Sequence, residues 1–386
     1  MAAPGQITAL LERAIAAGPE RAEPYAKLGA IHLDSYRPIE ALVAFEAAAQ
    51  LEPGRPEWQL RLAQLRNIRG LPSEALEALA EPALRAVPFG AEVDYQRGLA
   101  LLALGDRQDA ETALRAALAR DPGHRRACLN LCRLLRDAGR MDALLAVCES
   151  LVAQGVTHAQ LMLDWGRALA IAGEDAKAKR LLFDPARVTR QSLAMPDGFN
   201  EALATELLAN PYAICDFPEE EANRGSSRVH HLLNGARPDL VRTLSAAIRS
   251  AVEARIAATA PSTGNDFDPW AAARPQGAHL HAWGLIQRGG DHEAWHTHRG
   301  GWLSGVYYVR VPQAVARDTD GRGALEFGPP PYLARTQPGL IETRRYVPRE
   351  GMLLLAPSHY HHRTIASGLD EYRISFAFDV VPDDNR

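Results

Sequence analysis

The sequence predicts an α+β chain of two domains, an all-α solenoid of stacked helical hairpins followed by a β-barrel with flanking helices. Three observations carry that reading. From about Ala22 a pattern recurs every 34 residues at helical spacing. Between Arg187 and Asn200 polar residues, Pro196 and Gly198 interrupt it. After Trp270 short apolar stretches punctuated by Gly and Pro take over, as strands of a sandwich or barrel require. At 386 residues the chain can bury two separate cores, placed here at 1–190 and 197–386.

In the first repeat, Leu28-Gly29, Ala41, Phe45, Ala48 and Pro53 mark the positions that recur. A later unit carries Gly98, Ala110, Leu114, Ala117 and Pro122, and weaker units start near Pro56, Arg125 and Ala159, the last keeping Gly166 and Ala178. Small residues let the two helices of a hairpin approach closely, and Pro ends the second helix before the next unit begins. One hairpin cannot bury its own apolar face, so neighbours must stack. The pattern resembles tetratricopeptide repeats over roughly residues 5 to 190. The resemblance implies a right-handed superhelix that binds a peptide or protein, or one that serves self-association.

Beyond the interruption, helices are expected over Phe199–Leu208 and Pro238–Ala258, and Pro261 to Pro269 reads as a surface loop. Strands are expected over His279–Gln287, Trp302–Val311, Gly323–Phe327, Gly351–Ala356 and Tyr372–Val380.

The chemistry concentrates in Trp295-His296-Thr297-His298. Imidazoles at i and i+2 of an extended segment point to one face. A third imidazole from a distant strand would complete one face of an octahedral metal and leave positions open. The order that follows is a strand ending Tyr307-Tyr308, a Gly-x-Leu-x-Phe strand, a Leu-rich strand, a distal His and then Arg373-x-Ser375. That order resembles the double-stranded β-helix (jelly-roll) iron(II)/2-oxoglutarate oxygenases, notably their prolyl-hydroxylase branch, over roughly Trp283 to Val380. The resemblance implies Fe(II) and 2-oxoglutarate as cofactors, with His296, His298 and His362 as metal ligands. His298 stands where most such families have Asp or Glu. Arg373, Ser375 and Tyr308 would hold the far carboxylate of 2-oxoglutarate, for which a guanidinium fork is suited. An aspartate at 298 would restore the usual triad.

Asp291 and Glu293 are alternative third ligands without the i, i+2 relation to His296, and His361 is the fallback for His362. His359 and His361 are expected to be exposed or to stand behind the ligands, and His279, His281 and His292 to be structural. Trp283, Trp295 and Trp302 are read as packing, with lining a substrate pocket as the alternative. The net charge of −4, with 43 basic and 47 acidic residues and no basic block, argues against nucleic-acid or anionic-membrane binding. No leader pattern and no apolar run approaching the roughly 18 residues of a membrane span is present. Cys128 and Cys132 share a helix face as buried thiols. The chain reads as cytoplasmic. The implied activity is hydroxylation of a peptide or protein side chain, with an oligomer also compatible. The rivals are a three-His metal dioxygenase that does not use 2-oxoglutarate and a non-catalytic scaffold with a degenerate barrel.

Overall fold

A computed structural model describes residues 4–84, 88–215, 222–260 and 268–383. The chain divides into two compact units, Met1–Arg140 and Met141–Arg386. The first holds α1 (Pro4–Ala17), α2 (Ala22–Asp34), α3 (Pro38–Leu51), α4 (Pro56–Ile68), α5 (Pro72–Leu79), α6 (Gly90–Leu104), α7 (Arg107–Arg120) and α8 (Arg125–Asp137). The second opens with α9 (Met141–Ala153), α10 (Ala159–Ile171) and α11 (Asp175–Leu182). The starts of α2, α4, α6, α8 and α10 reproduce the period read from the sequence, including the weaker units at Pro56, Arg125 and Ala159.

The small residues act as expected. A Cβ on Gly29 would stand 2.7 Å from the Phe45 ring, one on Gly98 2.9 Å from the Leu114 side chain, and one on Gly166 2.5 Å from Leu182. Each glycine thus receives an apolar side chain of the paired helix, and no larger residue fits without displacing it. Pro38 and Pro72 open α3 and α5, where the missing N–H costs nothing.

The expected interruption proves partly ordered. Thr189–Ser192 forms a strand, β1, because its backbone pairs with a barrel strand, which polarity alone does not reveal. Then follow α12 (Phe199–Ala209), β2 (Ala213–Ile214), β3 (Asn223–Arg224), β4 (Ser227–Val229), α13 (Pro238–Ala258) and α14 (Pro269–Ala272). Of the expected loop from Pro261, residues 261–267 lie outside the described residues. Asp268 caps α14 by accepting from the Trp270 amide. The remaining elements are β5 (Ala278–Gln287), β6 (His292–Glu293), β7 (Leu303–Arg310), α15 (Gln313–Ala316), β8 (Leu325–Phe327), α16 (Pro331–Thr336), β9 (Arg344–Tyr346), β10 (Met352–Pro357), β11 (His362–Thr364) and β12 (Arg373–Pro382).

All strand pairs are antiparallel. A seven-stranded sheet runs β1-β10-β7-β12-β5-β4-β2, and smaller sheets run β11-β8-β9 and β3-β6. From β5 to β12 the chain passes back and forth between the large and small sheets, the double-stranded β-helix arrangement. On β12 the even face, Ile374, Phe376, Phe378 and Val380, is fully buried in the core with Leu203 and Leu207 of α12 and Leu244 and Ile248 of α13. The odd face, Arg373, Ser375, Ala377 and Asp379, lines an interior cavity. Period-two alternation thus divides one strand between core and site.

The last helical hairpin shares that core. Phe183 stacks on Phe327 with centroids 5.8 Å apart, the Tyr360 hydroxyl accepts from the Asp184 amide at 3.1 Å, and Gln337 donates to the Ala170 carbonyl at 2.7 Å. Among the described residues no helix is long and apolar enough to cross a membrane.

Candidate metal centre

The cavity, of about 380 Å³, opens between the large sheet and β8 and β11. Such a volume is at the lower end of small-molecule sites. His296 and His298 lie on the extended segment before β7. His296 exchanges both backbone hydrogen bonds with His362, N–H to O at 2.9 and 3.1 Å, while the His298 amide donates to Ser358 O at 2.9 Å. Direct cross-strand pairing places the distal imidazole against the first, and the two-residue step places His298 beside both. Ring centroids are 4.3 Å apart for His296 and His362, 5.0 Å for His296 and His298, and 5.1 Å for His298 and His362.

Each ring is oriented by its Nδ1. His296 Nδ1 lies 2.7 Å from Ala294 O and His362 Nδ1 3.0 Å from Tyr360 O. His298 Nδ1 lies 2.9 and 3.1 Å from the two carboxylate oxygens of Asp379. Carbonyl and carboxylate oxygens only accept, so each Nδ1 is the donor in its contact and each Nε2 is the ring atom left for a metal. The candidate ligand atoms all lie within 4.8 Å of one another. Burial, with the neighbouring His298 second, pushes the His296 pKa down to about 3, and burial likewise pushes His362 well below the usual imidazole range. Convergent, oriented imidazoles are the donor set a borderline divalent transition metal requires. The residues present therefore fit an iron(II) ion.

The expected alternatives are occupied elsewhere. Glu293 Oε2 accepts from Arg228 at 2.7 Å, and Asp291 accepts from the Arg288 amide at 3.0 Å. His361 stands outside the cluster, its pKa pushed down to about 4 by burial. His359 is not exposed and does not stand behind a ligand. It is fully buried, donating from Nε2 to the Leu181 carbonyl at 2.8 Å, because the hairpin of α10 and α11 covers it.

Arg373, Ser375 and Tyr308 all line the same cavity. Ser375 and Tyr308 are register partners across β12 and β7, beside an irregularity between Ile374 and Ser375. Arg373 is buried and donates to the Gly323 carbonyl and to Gln287 Oε1. These neutral acceptors hold the guanidinium without cancelling its charge. Burial pushes the Tyr308 pKa up to about 12, so its hydroxyl keeps its proton. Glu293, its pKa raised by burial, is a second buried carboxyl lining the cavity, and its Oε1 has no hydrogen-bond partner.

Trp283 lines the cavity instead of merely packing, lying on the His298 ring with centroids 5.6 Å apart and planes 16° off parallel. His281 lines it too, at an exposed position. Trp302 is packing, stacked on Trp270 at 4.7 Å, and Trp295 sits under Arg363. Asp379 and Ser304 escaped the sequence reading. The available signal was parity, since Asp379 shares the odd face of β12 with Arg373 and Ser375.

Residues 281–379 match the family described as "Putative 2OG-Fe(II) oxygenase", and residues 101–161 match the tetratricopeptide repeat family. No curated protein matches the chain. Among solved structures, YrrB, a TPR protein with an unusual peptide-binding site, is 22% identical over 45% of this chain and 88% of its own, with a TM-score of 0.36. PilF of Pseudomonas aeruginosa is 17% identical over 46% and 81%, at 0.40. A prolyl-4-hydroxylase of Pseudomonas putida is 15% identical over 51% and 92%, at 0.34. These are partial likenesses of fold. The family matches thus bear on residues 281–379, similar to an oxygenase domain, and on residues 101–161, similar to tetratricopeptide repeats.

Proposed function

We propose that the chain is an iron(II)/2-oxoglutarate-dependent oxygenase that hydroxylates a peptide or protein side chain. Residues 1–190 serve recruitment and residues 197–386 the chemistry. The observation that carries this reading is the pairing, in one cavity, of three convergent imidazoles with a buried guanidinium. His296, His298 and His362 hold the metal. Bound Fe(II) supplies the redox chemistry by which oxidative decarboxylation of 2-oxoglutarate is coupled to hydroxylation. Arg373 holds the far carboxylate of 2-oxoglutarate, which brings the anion that a buried guanidinium requires. Tyr308, protonated at any physiological pH, donates a hydrogen bond to that carboxylate, and the Ser375 hydroxyl donates a second. Leu325, Phe327 and Leu354 line the remaining wall and exclude water.

The repeats supply a recognition surface for an extended chain, the mode such arrays suit. The three-imidazole donor set also suits a dioxygenase that does not use 2-oxoglutarate. Calorimetry on anaerobically iron-loaded protein separates the two: 2-oxoglutarate binding and succinate release support the proposal, and no binding supports the second reading. Protein that takes up no metal would leave a non-catalytic scaffold. For the substrate, mass spectrometry compares proteins of cells with and without the active chain. A gain of one oxygen atom on specific side chains is expected, and oxidation of a free metabolite by a repeat-disrupted variant at the full rate refutes recruitment.

A further inference from the structure

We infer that Asp379 delivers to the metal, through His298, the negative charge that a carboxylate ligand would bring directly. The inference rests on the metal-centre reading above. Three neutral imidazoles leave a divalent ion with its full charge in a largely apolar cavity, where uncompensated charge is costly. The three histidines are not equivalent in what stands behind them. His296 and His362 donate from Nδ1 to neutral backbone carbonyls. Only His298, at the position where a carboxylate ligand is usual, donates to a carboxylate. The anionic group is present in the site, one shell further out.

Asp379 is built for that place. It is 9% exposed and sits on β12 between two register partners, Ser304 on β7 and His281 on β5. Ser304 Oγ is 2.6 Å from Asp379 Oδ1 and 2.8 Å from Ser358 Oγ. Ser304 has one proton and the carboxylate can only accept, so Ser304 donates to Asp379 and Ser358 donates to Ser304. A carboxylate accepting the Nδ1 proton raises the basicity of Nε2 and makes His298 the most electron-rich of the three donors. Trp283, stacked on the His298 ring, fixes its plane. Asp379 touches the ligand and not the ion, so it is a positioning residue, and its effect is electrostatic as well as geometric.

This arrangement changes what an aspartate at 298 would do. A carboxylate there would face Asp379 across the space where imidazole now donates, and two adjacent like charges disfavour each other. The usual triad is therefore restored only if Asp379 is neutralised at the same time.

The test uses the full chain and Co(II) as the probe, with dissociation constants from chelator competition, the Co(II) absorption spectrum, and the midpoint potential of bound iron. Asp379→Asn keeps the shape and an acceptor for Nδ1 but removes the charge. It is expected to weaken Co(II) binding about 10- to 100-fold and to raise the iron potential. Ser304→Ala, which strips one donor from the carboxylate and leaves its charge less shared, should shift the potential the opposite way and by less. His298→Asp should bind weakly, and His298→Asp/Asp379→Asn should recover at least about tenfold of that loss, since one recovered charge interaction of about 1.4 kcal/mol is tenfold. Cooperatively folded Asp379→Asn protein with affinity within about threefold of wild type and an unchanged potential overturns the inference, as does a double variant no better than His298→Asp; the threefold limit is under 1 kcal/mol. Failure of the metal centre itself is distinguishable: there, wild type takes up no Co(II), or His296→Ala binds it as well as wild type does.

Discussion

Arg373 is the residue on which the cosubstrate reading turns, because its buried guanidinium is held by neutral acceptors that leave the charge for a ligand. Arg373→Ala should raise the 2-oxoglutarate dissociation constant by roughly 30-fold or more. Truncating one side of a buried charged pair costs about 2–5 kcal/mol, and each 1.4 kcal/mol is tenfold. Calorimetry on metal-loaded protein measures it, and a change below about threefold, under 1 kcal/mol, would show that the anion lies elsewhere. Tyr308→Phe removes a single hydrogen bond and should cost only about 0.5–1.5 kcal/mol, leaving affinity measurable. The same variants should leave Co(II) binding without cosubstrate unchanged, which separates the carboxylate end of the cavity from the metal end.

At the scale of elements, close packing of paired helices is the feature most exposed to mutation. Gly98→Val would push a branched side chain onto Leu114, an overpacking that costs about 1–3 kcal/mol. Denaturant unfolding should register that loss in the unit holding α6 and α7, while Co(II) affinity stays at the wild-type value; a parallel loss of metal would contradict the independence of the two. His359 joins the loop after β10 to α11. Burial pushes its pKa down to about 3, from the ordinary imidazole value of about 6.5. The unfolded chain therefore binds the extra proton more readily, and stability falls as pH drops from 6.5 towards 3. His359→Gln keeps a donor for the Leu181 carbonyl without the titration, so its stability should depend less steeply on pH below 6.5 in denaturation curves. An identical slope for both proteins would assign the acid sensitivity to other groups, His296 and His362 first.

For the whole molecule, metal binding and folding are linked. An ion that binds only the folded chain stabilises it by about 2.7 kcal/mol when present at 100 times its dissociation constant. Thermal unfolding of wild type should shift upward on adding Co(II), in the transition of the unit that carries the barrel. His296→Ala should not respond, since it leaves two imidazoles. A shift of equal size in that variant would place the ion outside the cluster of His296, His298 and His362.

What could be read before any coordinates were periodic or ordered along the chain. The repeats were legible because helix pairing needs small residues such as Gly29, Gly98 and Gly166 at fixed offsets from Phe45, Leu114 and Leu182, and such offsets survive as a written period. The long strands and the three histidines were legible for the same reason, since period-two alternation and motif order are properties of the string. The short strands β1 and β11 were not, because their polar sequences carry no apolar alternation and their strand geometry comes from a partner supplied elsewhere. The roles of Asp379, Ser304 and His359 were not read from the string, although parity along β12 marked the face of Asp379. Their chemistry comes from neighbours distant in sequence, His298 for Asp379 and Leu181 for His359, and only the closed barrel with the hairpin of α10 and α11 packed on it brings those groups within hydrogen-bond reach.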